Sequence, residues 1–242
     1  MRNAIRMWWK AIFLYPQQKI DADSRSYDEY WETRNRTDVR ISAWQKERTD
    51  IALSMIGGRV DDTLTILDIG CGDGAVLQYL KTKRPNMHGI GIDFSEPVLE
   101  RVRAAGFEAH ALDVSNTTEL VLPSADYAIL FEVIEHVRDS ELLIQKALAS
   151  VTKGVFISIP NSGFFTNRLR LLMGKFPMQW VVHPNEHLRF WTVRDTRWWI
   201  GALGWSSHSV VRTYQGVPIL KNIAPSWFAA GIVVYIKKKA AK

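Results

Sequence analysis

Residues Leu64–Leu80 read LTILDIGCGDGAVLQYL: an apolar run to Ile69, then Gly70, Gly72 and Gly74 alternating with Cys71 and Asp73, then a stretch of helix formers. The pattern predicts a buried strand over Leu64–Ile69, a tight loop, and a helix over Ala75–Arg84. Glycine lets the backbone turn sharply and approach a ligand closely. The helix start presents N–H groups that have no partner within the helix. Three glycines in five residues exceed what a plain turn needs. Two ligand classes fit. Gly70-x-Gly72-x-x-Ala75, with Asp93 about 20 residues on, satisfies a dinucleotide fingerprint. Asp68-x-Gly70-x-Gly72-x-Gly74, with Asp93 following GIGI, also fits S-adenosylmethionine. Both ligands carry a ribose whose hydroxyls suit a carboxylate acceptor.

Outward from this stretch, short apolar runs alternate with helical ones. Strands are expected over Met87–Ile92, Phe107–Leu112, Tyr127–Val133 and Val155–Ile159, and helices over Glu96–Ala105 and Ser140–Val151. After an irregular segment comes a helix over Val193–Leu203, then strands over Trp205–Tyr214 and Phe228–Lys237 with no helix between them. The alternation argues for an α/β fold, a doubly wound and mostly parallel sheet covered on both faces. The closing pair adds an antiparallel member, making seven strands. Upstream, residues 1–15 read as a helix with Arg2, Arg6 and Lys10 on one stripe, and Pro16 as its stop. Residues 38–57 read as a second helix, with Ile41, Trp44, Ile51, Leu53 and Met55 as its expected buried positions. The chain divides into a helical extension over residues 1–60 and a ligand-binding domain over residues 61–242.

Composition narrows the classes. A hydrophobic fraction of 47% supports a real core. Cys71 is the single cysteine, which excludes an internal disulfide framework and a cysteine zinc site and suits a reducing compartment. No apolar run reaches the roughly 18 residues of a spanning helix. Lys10 interrupts the first apolar segment, which does not read as a signal peptide. The net charge of +6 is too mild and too dispersed for a nucleic-acid binder. It is uneven, though: residues 1–20 carry Arg2, Arg6, Lys10 and Lys19 and no acid. A basic helix with Trp8 and Trp9 suits the interface of a bilayer, which makes peripheral membrane contact through residues 1–15 an expectation.

Three further features accompany the loop. Asp113 ends the third strand in HALDVS; FEVIEHVRD places Glu132, Glu135 and His136 at the mouth of the fourth; and the last two strands follow one another directly. With LDIGCGDG, GIDFS, ALDVS and FEVIEHV in that order, residues 62–240 resemble the class I S-adenosylmethionine-dependent methyltransferases. The resemblance implies that Asp68, Gly70, Cys71, Gly72 and Gly74 line the methionine end of the donor. It implies that Asp93 takes the ribose hydroxyls with Phe94 against the adenine, that Asp113 and the Val114 N–H take the adenine amine, and that Phe131 and Glu132 lie near the methyl. Pro160-Asn161, Arg168, Arg170, and then Asn185, His187, Leu188, Thr192 and Asp195 are similar to the MetW family of methionine biosynthesis, and the EHLRFWT segment also resembles ubiquinone-type methyltransferases. That similarity implies a bacterial, cytoplasmic protein, held peripherally on the inner face of the membrane if the first helix docks there.

The irregular segment, about residues 161–191, is the expected lid over the acceptor. His136 and His187 are the candidate general bases by residue type. His183, Glu186 and His187 fall close together, but Pro184 breaks any regular helix among them, and no metal is expected. Arg168, Arg170 and Lys175 suggest a basic face suited to an anionic acceptor. The expected activity is methyl transfer from S-adenosylmethionine, by preference to an oxygen of a small molecule or a lipid-linked glycan. The alternative is a MetW-like cofactor-binding partner that acts with an acyltransferase and has no turnover of its own.

Overall fold

The computed structural model describes residues 2–15, 40–177 and 187–239. Among them, seven strands form one sheet in the order β3-β2-β1-β4-β5-β7-β6. They are β1 (Thr65–Ile69), β2 (His88–Asp93), β3 (Glu108–Ala111), β4 (Ala125–Phe131), β5 (Val151–Pro160), β6 (Ser209–Gly216) and β7 (Ala229–Lys237). All neighbouring pairs are parallel except those that β7 makes with β5 and β6. This is the expected doubly wound fold with one reversed strand.

Side chains alternate across the strands and build two cores. Leu67, Ile69, Ile90, Leu130 and Ile157 pack beneath helices α5 (Ser140–Ser150) and α7 (Val193–Ala202). Ile66, Ile129 and Phe156 pack on the opposite face against α2 (Ala43–Met55), α3 (Ala75–Lys83) and α4 (Glu96–Ala104). Because every strand but β7 runs the same way, the loops after β1, β2, β4 and β5 open at one edge. The strand order reverses direction between β1 and β4, and such a switch point is where open α/β sheets bind ligands.

Two expectations need correction. The buried face of α2 is Arg48, Thr49 and Ala52, whereas Trp44 is exposed and Ile41, Ile51, Leu53 and Met55 are only partly covered. An arginine is buried there because it pairs with carboxylates inside the domain, which an apolar-period reading cannot foresee. The connection from β6 to β7 holds two single-turn helices, α8 (Leu220–Ile223) and α9 (Pro225–Phe228), each too short to show a helical period. Helix α1 (Arg2–Phe13) packs on α6 (Phe165–Leu172), with Trp8 edge-on to Phe165 at 5.6 Å. No helix among the described residues is long and apolar enough to cross a membrane.

Candidate active site

The glycine loop is built as its sequence suggests. Gly70, Gly72 and Gly74 all take positive φ, at 74°, 51° and 76°. At Gly70 a Cβ would lie 2.5 Å from the Val133 side chain, so a larger residue is excluded twice, by backbone and by space. The Gly70 and Cys71 N–H groups both donate to the Ile92 carbonyl, at 2.7 and 2.9 Å. Asp93 ends β2; one of its oxygens accepts from the Gly72 N–H at 3.0 Å and the other from the Ser95 N–H at 3.1 Å. The loop after β1 is thereby hung from the end of β2.

Beneath the loop, Asp68 is buried and its Oδ2 has no hydrogen-bond partner. Burial pushes its carboxyl up to about 7; the nearby Arg48 charge opposes this and Asp93 adds to it. Cys71 is buried in the same place, and its thiol is pushed well above the usual range, first by burial and then by Asp68 and Asp93. It is a small filler in the loop rather than a nucleophile.

Opposite the loop, across the switch point, stands Glu132. It has φ of 58°, a conformation uncommon outside glycine, and its Oε1 collects three donors. Ser158 Oγ and Tyr214 Oη each lie at 2.9 Å, and Arg48 Nη1 at 3.3 Å. Arg48 also lies over the Phe131 ring at 5.1 Å. Neighbouring Glu47 fixes α2 here by accepting from Gln215 and from Lys221 Nζ, the latter at 2.6 Å. The Tyr214 hydroxyl is raised by burial and by the Glu132 charge.

One turn later, in a 3-10 turn over Ile134–His136, Glu135 is buried with both carboxylate oxygens unpartnered. Burial, and then repulsion from Glu132, hold its carboxyl well above the ordinary range. His136 beside it meets His187 edge-on, with ring centroids 4.7 Å apart. The ligand atoms of Glu135, His136 and His187 all lie within 4.8 Å of one another.

His187 is held there by the residues that follow it. The Leu188 and Arg189 N–H groups donate to the Glu135 carbonyl, at 2.8 and 3.2 Å. The Arg189 guanidinium grips Glu141 on α5 with two bonds of 2.5 and 2.6 Å, and Trp199 Nε1 adds a third at 2.7 Å. Glu141 is accordingly lowered to about 2, chiefly by Arg189. Trp191 is buried, and Thr192 and Asp195 form a capping box that starts α7.

The structure brings Asp68, Gly70, Cys71, Gly72, Gly74, Asp93, Phe131 and Glu132 together at the switch point, and His136 with His187 beside them. Phe94 is exposed after β2. Asp113 and Val114 sit just past β3, which ends at Ala111, and Asp113 accepts from the Ser115 N–H at 2.9 Å. His183, Asn185 and Glu186 lie outside the described residues. The basic face expected of Arg168, Arg170 and Lys175 is not formed. Arg170 is fully buried and donates to the carbonyls of Ala11, Ile12, Leu14 and Phe176. Lys175 Nζ reaches the Phe13 carbonyl at 3.1 Å, and Arg168 bonds the Gly163 carbonyl and lies over Trp227. Their charges close the ends of α1 and α6. Arg48 and Tyr214 are members of the site that sequence reasoning missed. Glu135 was visible in FEVIEHV but carried no assigned role.

A family model described as "Methyltransferase domain" matches residues 30–210. The ubiquinone biosynthesis O-methyltransferase of Hydrogenovibrio crunogenus is 33% identical over 113 residues, 41% of this chain and 44% of that protein. The (S)-tetrahydroprotoberberine N-methyltransferase of Eschscholzia californica is 25% identical over 103 residues, 39% of this chain and 29% of that protein. The match therefore spans less than half the length of either relative. In fold, a methyltransferase structure from Archaeoglobus fulgidus superposes with TM-score 0.58 at 16% identity, covering 88% of this chain and all of the other. One from Mesorhizobium loti superposes with TM-score 0.55 at 21% identity, covering 78% and 97%.

Proposed function

The chain belongs to the methyltransferase-domain family; we propose that it transfers methyl from S-adenosylmethionine and that its acceptor atom is a hydroxyl oxygen of a small molecule or glycan. The observation that carries the proposal is the buried, unpartnered Glu135 carboxylate beside the His136–His187 pair. An amine acceptor needs only to shed a proton to water. A hydroxyl gains from a positioned base, typically about 10²–10⁴-fold.

The residues fit the donor. The orphaned Asp68 oxygen suits a cationic amine, and the loop's positive-φ glycines bring backbone close to it. Asp93, buried at the end of β2, suits vicinal hydroxyls, and its bond to the Gly72 N–H couples that grip to the loop. When bound, S-adenosylmethionine supplies a methyl on a positively charged sulfur, already activated for in-line displacement. Asp68 and the loop would hold one end, Asp93, Phe94 and Asp113 would hold the other, and Phe131 with the Arg48–Glu132 pair would wall the space between. Holding two reactants in line is worth on the order of 7–11 kcal/mol. A ring nitrogen of His187 or His136 would take the proton of the acceptor hydroxyl.

A second reading of the same cluster is favoured by its donor set. One carboxylate and two imidazoles within 4.8 Å suit a divalent cation. Glu135, His136 and His187 would hold it, and it would lower the pKa of a coordinated hydroxyl. The engagement of Arg168, Arg170 and Lys175 by backbone carbonyls withdraws support from a specifically anionic acceptor, and nothing in the comparisons supports the partner-without-turnover alternative.

The test presents matched hydroxyl and amine acceptors, phenols and sugars against amines, with methyl-labelled donor. Labelled ether from the hydroxyl set, lost on His187→Ala, supports the reading. Label only in the amine set overturns it.

A further inference from the structure

The junction of α1 and α6 has a face that methyl transfer does not use. Arg170, itself fully buried, draws the last carbonyls of α1 and the Phe176 carbonyl onto one guanidinium, and Tyr15 lies over it at 5.2 Å. The ends of both helices therefore lie within a side chain's length of each other. Around this point the large apolar side chains point outward: Phe13, Leu14, Leu171 and Met173 are about half exposed, and Leu172 is 81% exposed. Along α1 the apolar stripe continues through Ile5 and Trp9, with Trp9 and Phe13 in ring contact at 5.4 Å. Arg6 and Lys10 are exposed beside it.

A cluster of exposed apolar side chains of this composition marks an interaction surface. The charge decides which. Residues 1–15 and 161–177 contain Arg2, Arg6, Lys10, Arg168, Arg170 and Lys175, and not one aspartate or glutamate. A second copy seated here would bring these same acid-free segments together, with no aspartate or glutamate in either to offset their cations. An apolar strip with a tryptophan, flanked by cations whose stems reach past it, is instead the pattern that enters the boundary between acyl chains and anionic headgroups. We propose that the α1–α6 junction docks the protein on an anionic lipid bilayer. α6 follows directly from the end of β5 and leads into the segment that ends at His187. The inference does not depend on the choice of acceptor atom.

The experiment is co-sedimentation of the full chain with phosphatidylcholine vesicles, with and without phosphatidylglycerol. Binding is expected to the anionic vesicles and to weaken in high salt. Each cation near such a surface contributes on the order of fivefold in partition, so Arg6→Glu with Lys10→Glu should lower binding more than tenfold. Leu172→Asp, at a position too exposed to disturb the core, should do the same. Calorimetry with S-adenosylhomocysteine confirms that each variant is folded. Failure of the unaltered protein to bind anionic vesicles overturns the proposal. So does binding indifferent to both variants, and so does a concentration-dependent dimer in sedimentation velocity that Leu172→Asp dissolves.

Discussion

His136 and His187 stand edge to face, 4.7 Å between ring centroids, and the carbonyl of Glu135 ties their two segments together by accepting from the Leu188 and Arg189 N–H groups. His187 is therefore placed by the residue that precedes His136. His187→Ala and His136→Ala should each lower transfer to a hydroxyl by about 10²–10⁴-fold and leave S-adenosylhomocysteine affinity within a few-fold. If a cation sits there, chelation should lower the melting temperature of the unaltered protein and not that of His187→Ala. Differential scanning fluorimetry separates the two readings.

Asp93 serves the loop and, in the proposed role, the ribose. Asp93→Ala should weaken S-adenosylhomocysteine binding about 10–100-fold, equivalent to about 1.4–2.8 kcal/mol. Because Gly72 also loses its partner, Asp93→Asn should recover part of the loss through its remaining carbonyl oxygen. Titration calorimetry on both variants reads this directly, and equal affinity in all three proteins would remove Asp93 from the site.

Asp68 makes stability depend on pH. Its carboxyl is raised to about 7 in the fold, so between the ordinary carboxylate range and about 7 the folded chain holds more protons than the unfolded one. Stability must then fall as pH rises through that window. Glu141 acts oppositely, since its carboxyl is lowered to about 2. Its contribution is present above the usual range and is lost only as pH falls toward 2, outside the window. Urea unfolding at about pH 5 and about pH 8 should show the higher stability at the lower pH, and Asp68→Asn should reduce the difference, the remainder coming from the raised Glu135 carboxyl.

The Arg189–Glu141 grip tests whether the acceptor wall is positioned or merely present. Glu141→Ala releases both Arg189 and Trp199 and should cost about 1–3 kcal/mol of stability. Transfer should fall more than donor affinity does, because the anchored segment carries His187 and no donor-binding residue. Arg189→Lys, which keeps the charge and loses the fork, should fall in between. Steady-state kinetics with calorimetry on the same samples gives both quantities.

What the sequence displayed was whatever repeats locally. Leu64–Ile69 followed by alternating glycines reveals a strand and a ligand loop because apolar period and positive φ are properties of a few adjacent residues. The inner face of α2 was hidden because Arg48 is buried by its pairing with Glu132, and nothing near Arg48 in the chain reports that carboxylate. Arg170 was misread as an acceptor contact because cations are usually solvated. Its partners, the carbonyls at the end of α1, lie more than 150 residues away. Glu135 is legible as a residue but not as a site, since its significance lies in having no partner for either oxygen.

Besides the Arg189–Glu141 fork, the wall on the acceptor side is fastened through main-chain carbonyls. Arg170 holds carbonyls of Ala11, Ile12 and Leu14, and the Glu135 carbonyl holds Leu188 and Arg189. Carbonyls are the same whatever side chain they carry. The residues that would meet an acceptor can thus be exchanged without loosening the fastening, so that specificity is free to drift, or to be redesigned, on a frame whose geometry stays fixed.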